Sequence, residues 1–259
     1  MRVVFVLFDS LNRHVLSPYG GRLPTGNFQR LERRSVTFDN HFVGSLPCMP
    51  ARRDLHTGRL NFLHRSWGPL EPFDDSFPEI LGEAGIYNHL VSDHYHYFED
   101  GGATYHTRYD TWDFIRGQES DPWVAMVKPT LDRFRELYHP YQFEETREGH
   151  RLQGMINRTR IIDEYDFPCV KCFDSTLDFL DKNGNEDNWL VQLESFDPHE
   201  PFIAPARYRK TFKTSYNGPI LDWPQYRKVE ESNEEIAELN ANYDALVGLC
   251  DAQLGRLLD

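Results

Sequence analysis

Three strand-like runs, each breaking into a polar cluster, constrain this chain more than any other feature. Residues 3–8 run into Asp9-Ser10, residues 88–92 into Asp93-His94-Tyr95-His96, and residues 189–193 toward Ser195-Phe196-Asp197-Pro198-His199. Continuous apolar character, without alternation, marks a strand covered on both faces. Helical patterns separate the runs, so the expected fold class is α/β: a sandwich with a largely parallel central sheet. Ligands bind beyond the carboxyl ends of strands in such sheets. The convergence of three polar clusters there, rather than any one residue, predicts a site.

The helical patterns carry recognisable start and stop signals. A short helix entered near Asn27 ends over 31–34, and a short strand is expected over 36–38. Pro50 suits the first position of a helix over 50–57, and Gly58 suits its end. Ser76 is a candidate N-cap for a helix over 76–84, with Pro78 near its start and Gly85 after it. Further helices are expected over 151–161, over 170–180 and from Asn233 onward, where Ile236, Leu239, Tyr243, Leu246, Val247, Cys250, Leu254 and Leu257 mostly repeat every three or four residues. Residues 98–165 are rich in aromatics and charges and read as an insertion over the sheet, so 1–259 is expected to form one catalytic-domain portion with that insertion.

Charge and cysteine usage narrow the partners. The formal net charge of -13 argues against nucleic acid, which requires a basic footprint. It does not argue against a small anion, because a local Arg or His cluster overrides the global field. The first apolar run is too short to span a membrane and lacks a cleavage pattern after it, so no membrane partner and a cytoplasmic location are expected. The four cysteines, Cys48, Cys169, Cys172 and Cys250, form no dense disulfide framework. The pair Cys169-x-x-Cys172 lacks a second pair or a thioredoxin context and reads as ordinary thiols.

The run Cys48-Met49-Pro50-Ala51-Arg52-Arg53-Asp54-Leu55-His56-Thr57-Gly58-Arg59 carries the chemistry. Cys48 precedes the expected helix, whose unpaired N–H groups and dipole favour an anion. Arg52 lies one turn on along the same face and His56 one turn further. The whole run, about forty residues after a strand ending in Asp9, resembles the signature of the type I sulfatases of the alkaline phosphatase superfamily. The resemblance implies an alkaline-phosphatase-like α/β/α fold. It also implies that a maturation enzyme oxidises Cys48 to formylglycine, whose hydrated form attacks the sulfur of a sulfate monoester and passes through a covalent sulfated state.

Other segments extend the resemblance. Asp9 is similar to the family's first metal-binding carboxylate, with Ser10 where a second ligand usually stands. Together with Cys48 these imply an oxygen-rich site for Ca²⁺, with Mg²⁺ or Mn²⁺ as alternatives. His94-Tyr95-His96 stands where many relatives have Gly-Lys-Trp-His, so His96 matches the family's His and His94 replaces its Lys. On a strand these two imidazoles would share a face, where they would bind sulfate oxygens or move protons. A structural pair is the alternative for them. A zinc pair is a further rival, but no third ligand stands at a characteristic spacing. Asp197-Pro198-His199-Glu200-Pro201-Phe202 resembles a segment whose His contacts the ester and protonates the leaving oxygen. The segment Gln118-Glu119-Ser120-Asp121-Pro122-Trp123 is similar to a subset of bacterial sulfatases, without assigned chemistry.

The expected activity is therefore sulfuric ester hydrolysis on a sulfated small molecule or sugar. Cys48, Arg52, His199 and His96 are the catalytic candidates, and His94 and His56 the substrate-binding ones. A phosphonate or phosphate ester hydrolase of the same superfamily is the closest rival, and a non-catalytic binding protein with unmodified Cys48 is the rival from another class. The family's later Asp-His-Gly segment has no counterpart here, and the apolar stripe of the last helix runs to Leu258. The chain is accordingly expected to be the N-terminal part of a longer enzyme and inactive alone.

Overall fold

The structure, a computed structural model, describes residues 1–143 and 148–259, with the side chains of 148–150 outside the description. In chain order its main elements are β1 (Arg2–Phe8), α1 (Gly26–Glu32), α2 (Cys48–Thr57), α3 (Phe77–Glu83), β2 (Tyr87–Ser92), β3 (Thr111–Phe114), α4 (Leu131–Leu137), α5 (Glu148–Arg158), α6 (Pro168–Asn183), β4 (Trp189–Ser195), α7 (Ala206–Arg209) and α8 (Asn233–Leu258). This is an α/β fold with a parallel central sheet. The chain divides into two compact units, each assembled from three separated segments. No helix among the described residues is long and apolar enough to cross a membrane.

The first unit comprises residues 1–9, 37–115 and 172–195 and holds the whole sheet, in the order β1-β4-β2-β3. The strand latest in sequence, β4, is inserted between β1 and β2, in register from Arg2↔Trp189 to Phe8↔Ser195 and from Tyr87↔Trp189 to Ser92↔Glu194. Parallel neighbours need long crossovers, which brings the carboxyl ends of β1, β2 and β4 together at one edge. Every residue of β4 is buried. The edge strand β3 was not legible in the sequence. Its side chains are mostly exposed, so it lacks a continuous apolar run, and its ladder with β2 defines it. The stretch 98–165, read as an insertion, is shared: residues through Ile115 pack in this unit and residues from Arg116 in the other.

Packing explains α2. Its buried Met49 joins Leu70, Leu90, Tyr97, Tyr105 and Tyr109 in one core cluster, against which Cys48 and Phe77 also pack. Burying such a side chain is worth about 2 kcal/mol. Pro50 sits at the third helical position, where its missing N–H costs nothing because the first turn's donors have no intrahelical acceptor. The helix ends at Gly58, whose φ of 67° suits glycine and whose N–H donates to Asp54 O at 2.8 Å. Ser76 occupies the N-cap position of α3, but its hydroxyl donates to Glu79 Oε2 rather than capping the backbone.

The second unit comprises residues 10–36, 116–171 and 196–259. Its long helix α8 starts at a capping box between Ser232 and Glu235. Val247 on α8 packs with Val15, Leu16 and Leu23. The Asp251 carboxylate accepts the backbone N–H groups of Asn27 and Phe28 at 3.0 Å, satisfying donors at the start of α1. Phe134, Tyr138, Met155 and Ile156 form a second cluster between α4 and α5. The strand expected over 36–38 does not form. Val36 and Phe38 are 79% and 66% exposed, with no sheet neighbour to complete a ladder.

Candidate active site

The polar ends of β1, β2 and β4 converge in the first unit on one buried carboxylate, Glu194. Its Oε1 accepts from Arg52 Nε at 2.8 Å and lies 2.8 Å from His94 Nδ1. Its Oε2 accepts from Tyr97 O–H at 2.8 Å and from Gln192 Nε2 at 3.3 Å. Tyr109 O–H in turn donates to Gln192 Oε1 at 2.6 Å. A buried carboxylate with this many donors is satisfied without water. Burial pushes the Glu194 carboxyl up, but Arg52 and the His94 hydrogen bond outweigh it and hold the group well below the usual carboxylate range. An ionised acceptor at Nδ1 makes that nitrogen of His94 the N–H donor. Burial lowers the His94 imidazole against the pull of Glu194, so the ring is neutral and Nε2 carries a lone pair.

Arg52 projects from the second turn of α2 into this network. Its second nitrogen donates to Asp9 Oδ2 at 2.7 Å, and the Asp9 N–H continues the sheet to Ser195 O at 3.0 Å. One guanidinium thus bridges the carboxylates that follow β1 and end β4. Both ion pairs are buried. Burial opposes the charge on Arg52, yet Glu194 and Asp9 raise its affinity for the proton well above the ordinary value.

Cys48 opens α2 and is half-buried. One ligand atom each from Cys48, His94 and His96 lie within 4.8 Å of one another. His94 and His96 do not lie on a strand. They bracket the start of a tight turn over Tyr95–Tyr97, and their rings meet edge-on at 5.3 Å with planes 88° apart. The strand β2 ends at Ser92, and the chain must turn before reaching either histidine. Gly102 secures this turn, since a Cβ there would lie 1.8 Å from His96 O and 2.7 Å from Met49 Cε. His96 Nδ1 lies 2.6 Å from Glu99 Oε1, and its ring meets Trp67 at 4.9 Å.

His56, one turn beyond Arg52, is enclosed by Phe77, Tyr105 and Tyr109. Neither ring nitrogen has a hydrogen-bond partner among the described residues, and burial holds the imidazole down to about 3. The geometry gives this histidine packing contacts.

His199 and Ser10 belong to the second unit. Ser10 has a φ of 55°. His199 Nδ1 donates to Glu200 O at 2.8 Å, which fixes the tautomer and leaves Nε2 for another partner. Two residues earlier, Asp197 is buried and accepts from Gln118 Nε2 at 2.7 Å; burial pushes its carboxyl up to about 7, against the amide's contribution. Gln118 therefore acquires a structural partner that its sequence segment did not reveal.

The donors for Ca²⁺, Mg²⁺ or Mn²⁺ can be checked against this geometry. At the sheet edge of the first unit stand the buried carboxylates Asp9, Asp93 and Glu194, of which Asp9 and Glu194 are bonded to Arg52. A hard cation gathers about six or more oxygens, and these carboxylates by themselves do not complete such a site. The sequence did not single out Glu194. The available signal was an acidic residue one position after an apolar run in a fully buried strand, where a charge requires a partner.

A family model described as "Sulfatase" matches residues 2–259. Among curated proteins, the chain is 24% identical over 241 residues to the "Multifunctional alkaline phosphatase superfamily protein PehA" of Trinickia caryophylli, a match covering 83% of this chain and 43% of that protein. It is 22% identical over 303 residues to the arylsulfatase of Klebsiella aerogenes, covering 99% of this chain and 61% of that protein. Among solved structures, the phosphonate monoester hydrolase SpPMH of Silicibacter pomeroyi has the same fold, with a TM-score of 0.68 at 20% identity over 99% of this chain and 58% of that one. The chain thus spans about half the length of the proteins it resembles.

Proposed function

The chain belongs to the sulfatase family, and on that premise we propose that it is the nucleophile-bearing part of an enzyme that hydrolyses sulfate monoesters, with residue 48 oxidised from cysteine to formylglycine. The observation that carries this reading is the placement of Cys48. It stands at the first position of α2, with His94 and His96 within reach and a fixed guanidinium one turn along the helix. An ester sulfate seated there meets the N–H groups of the helix start, which suits its charge.

The oxidised side chain, once hydrated, supplies a hydroxyl nucleophile and a second hydroxyl whose loss of a proton expels sulfate. The chain's other residues orient and compensate. Glu194 and Asp9 hold the Arg52 guanidinium rigidly, so its positive charge is in place before the reaction. Glu194 also fixes the His94 ring, and Glu99 fixes that of His96, so that Nε2 of each faces the site as a proton acceptor and would donate to a sulfate oxygen only as an imidazolium. His199 is assigned the proton for the departing alcohol oxygen. With Nδ1–H given to a carbonyl, only its imidazolium form can donate from Nε2.

The substrate class is a sulfated small molecule or sugar, and the protein partner is a formylglycine-generating maturation enzyme. The test is a mass spectrum of the residue-48 peptide after coexpression with such an enzyme, using the full-length protein. An aldehyde reactive toward hydrazides is expected, with faster turnover of an aryl sulfate than of the matching phosphonate monoester. Free thiol alone at residue 48 would sink the formylglycine reading. A reversed preference would make the enzyme a phosphonate hydrolase of the same superfamily.

A further inference from the structure

The two histidines beside Cys48 share a feature that an anion pocket does not need. Each places Nδ1 against a carboxylate: His94 on Glu194 at 2.8 Å and His96 on Glu99 at 2.6 Å. A carboxylate at Nδ1 fixes the tautomer, orients the ring and strengthens Nε2 as a donor to a metal, and metal-binding histidines are held in this way. The third ligand that sequence spacing did not supply arrives from a different element. Cys48 comes from the start of α2, and its sulfur and one nitrogen of each ring lie within 4.8 Å of one another. Ligand atoms around a tetrahedral Zn²⁺ lie about 3.3–3.7 Å apart, given metal–ligand bonds of about 2.0–2.3 Å. The three atoms lie within 4.8 Å of one another, so binding has to draw the side chains inward.

We propose that the unoxidised form of this protein binds one Zn²⁺ through Cys48 Sγ and the Nε2 atoms of His94 and His96. Thiolate and imidazole are the donors of a borderline-soft ion, not of Ca²⁺ or Mg²⁺. On binding, the Cys48 S–H bond breaks, an S–Zn bond forms and the proton passes to solvent. Three protein ligands leave a fourth position for water. The bound ion masks the sulfur from oxidants and electrophiles, whereas a residue 48 converted to the aldehyde has no sulfur and loses the ligand. The site therefore distinguishes the immature from the mature chain. This proposal concerns the thiol alone and does not depend on the hydrolytic reading.

The test uses protein produced without a maturation enzyme, stripped with chelator and shown by intact mass to retain the thiol. Titration with Co²⁺ should saturate at one equivalent, giving tetrahedral d–d bands and a thiolate-to-cobalt charge-transfer band that Zn²⁺ abolishes. Cys48→Ser should remove the charge-transfer band. His96→Ala should weaken Zn²⁺ binding by at least about a hundredfold. Glu99→Gln, a change at a half-exposed residue, should weaken it about tenfold through the ring it orients. One equivalent of Zn²⁺ should also slow alkylation of the residue-48 peptide at least tenfold. A charge-transfer band that survives Cys48→Ser would place the metal on Cys169, Cys172 or Cys250 and overturn the proposal. So would Zn²⁺ affinity unchanged in His96→Ala, or no binding by the thiol form.

Discussion

Arg52 and Glu194, separated by 142 positions in the chain, form a buried ion pair with Nε 2.8 Å from Oε1. The pair ties helix α2, which carries Cys48, to the inner strand β4 of the sheet. The same guanidinium reaches Asp9 at 2.7 Å, so it balances carboxylates that follow one strand and end another. Together with the core cluster around Met49, this junction holds α2 against the sheet.

Removing the charge of Glu194 should therefore be costly. Glu194→Gln keeps the shape and leaves a buried guanidinium with one carboxylate in place of two. Breaking a buried pair from one side typically costs about 3–5 kcal/mol, and a loss near the lower end is expected because Asp9 remains. Urea unfolding at neutral pH reads this directly. A loss under about 1 kcal/mol would show that the junction does not hold α2 to β4.

His199→Ala tests the proposed proton donor. In the full-length matured enzyme, aryl sulfate turnover should fall at least roughly a hundredfold, as for loss of a general acid. The fall should shrink for an aryl leaving group acidic enough to depart unprotonated. That dependence separates proton donation from a structural role, since misfolding would slow all esters alike. Equal losses across the leaving-group series would remove the assigned role.

The enclosed His56 makes a pH-dependent contribution to stability. Its folded-state value is lowered to about 3 by burial, while the unfolded chain keeps the ordinary 6.5. Between those values the unfolded state binds the extra proton. The contribution is therefore present above pH 6.5 and lost as the pH falls toward 3, and it amounts to about 4 kcal/mol by the lower limit. Between pH 7 and pH 4.5 the wild-type protein should lose about 2–3 kcal/mol more stability than His56→Phe does. Parallel pH profiles would show that the imidazole accepts a proton in the folded state.

Much of the fold was legible because parallel-sheet strands are locally encoded. The run over 3–8, the run over 189–193 and the helical repeat from Asn233 each announce themselves within a few residues, and they form β1, β4 and α8. The polar clusters after the strands also marked the edge where Arg52, His94 and Glu194 meet. The Pro50 and Gly58 signals predict a helix over 50–57 with Cys48 just before it; the structure starts α2 two residues earlier, at Cys48, and keeps Arg52 one turn on.

What the tertiary structure decided are the partners, because neither charge pairing nor ligand geometry is local. Glu194 looks like a blemish at the end of an apolar strand until folding brings Arg52, His94 and Tyr97 to it. His94 and His96, read as alternating strand residues, lie on a turn, and that turn rather than strand pleat sets the angle between their rings. The third member of their cluster, Cys48, comes from 46 positions before His94 in sequence and could not be found by spacing. His56 has the helical phase of a site residue, yet aromatic rings from Phe77, Tyr105 and Tyr109 enclose it. Periodicity assigns a side chain to a face of its own helix, but only the packed chain determines whether that face meets a carboxylate, a cleft or an aromatic wall.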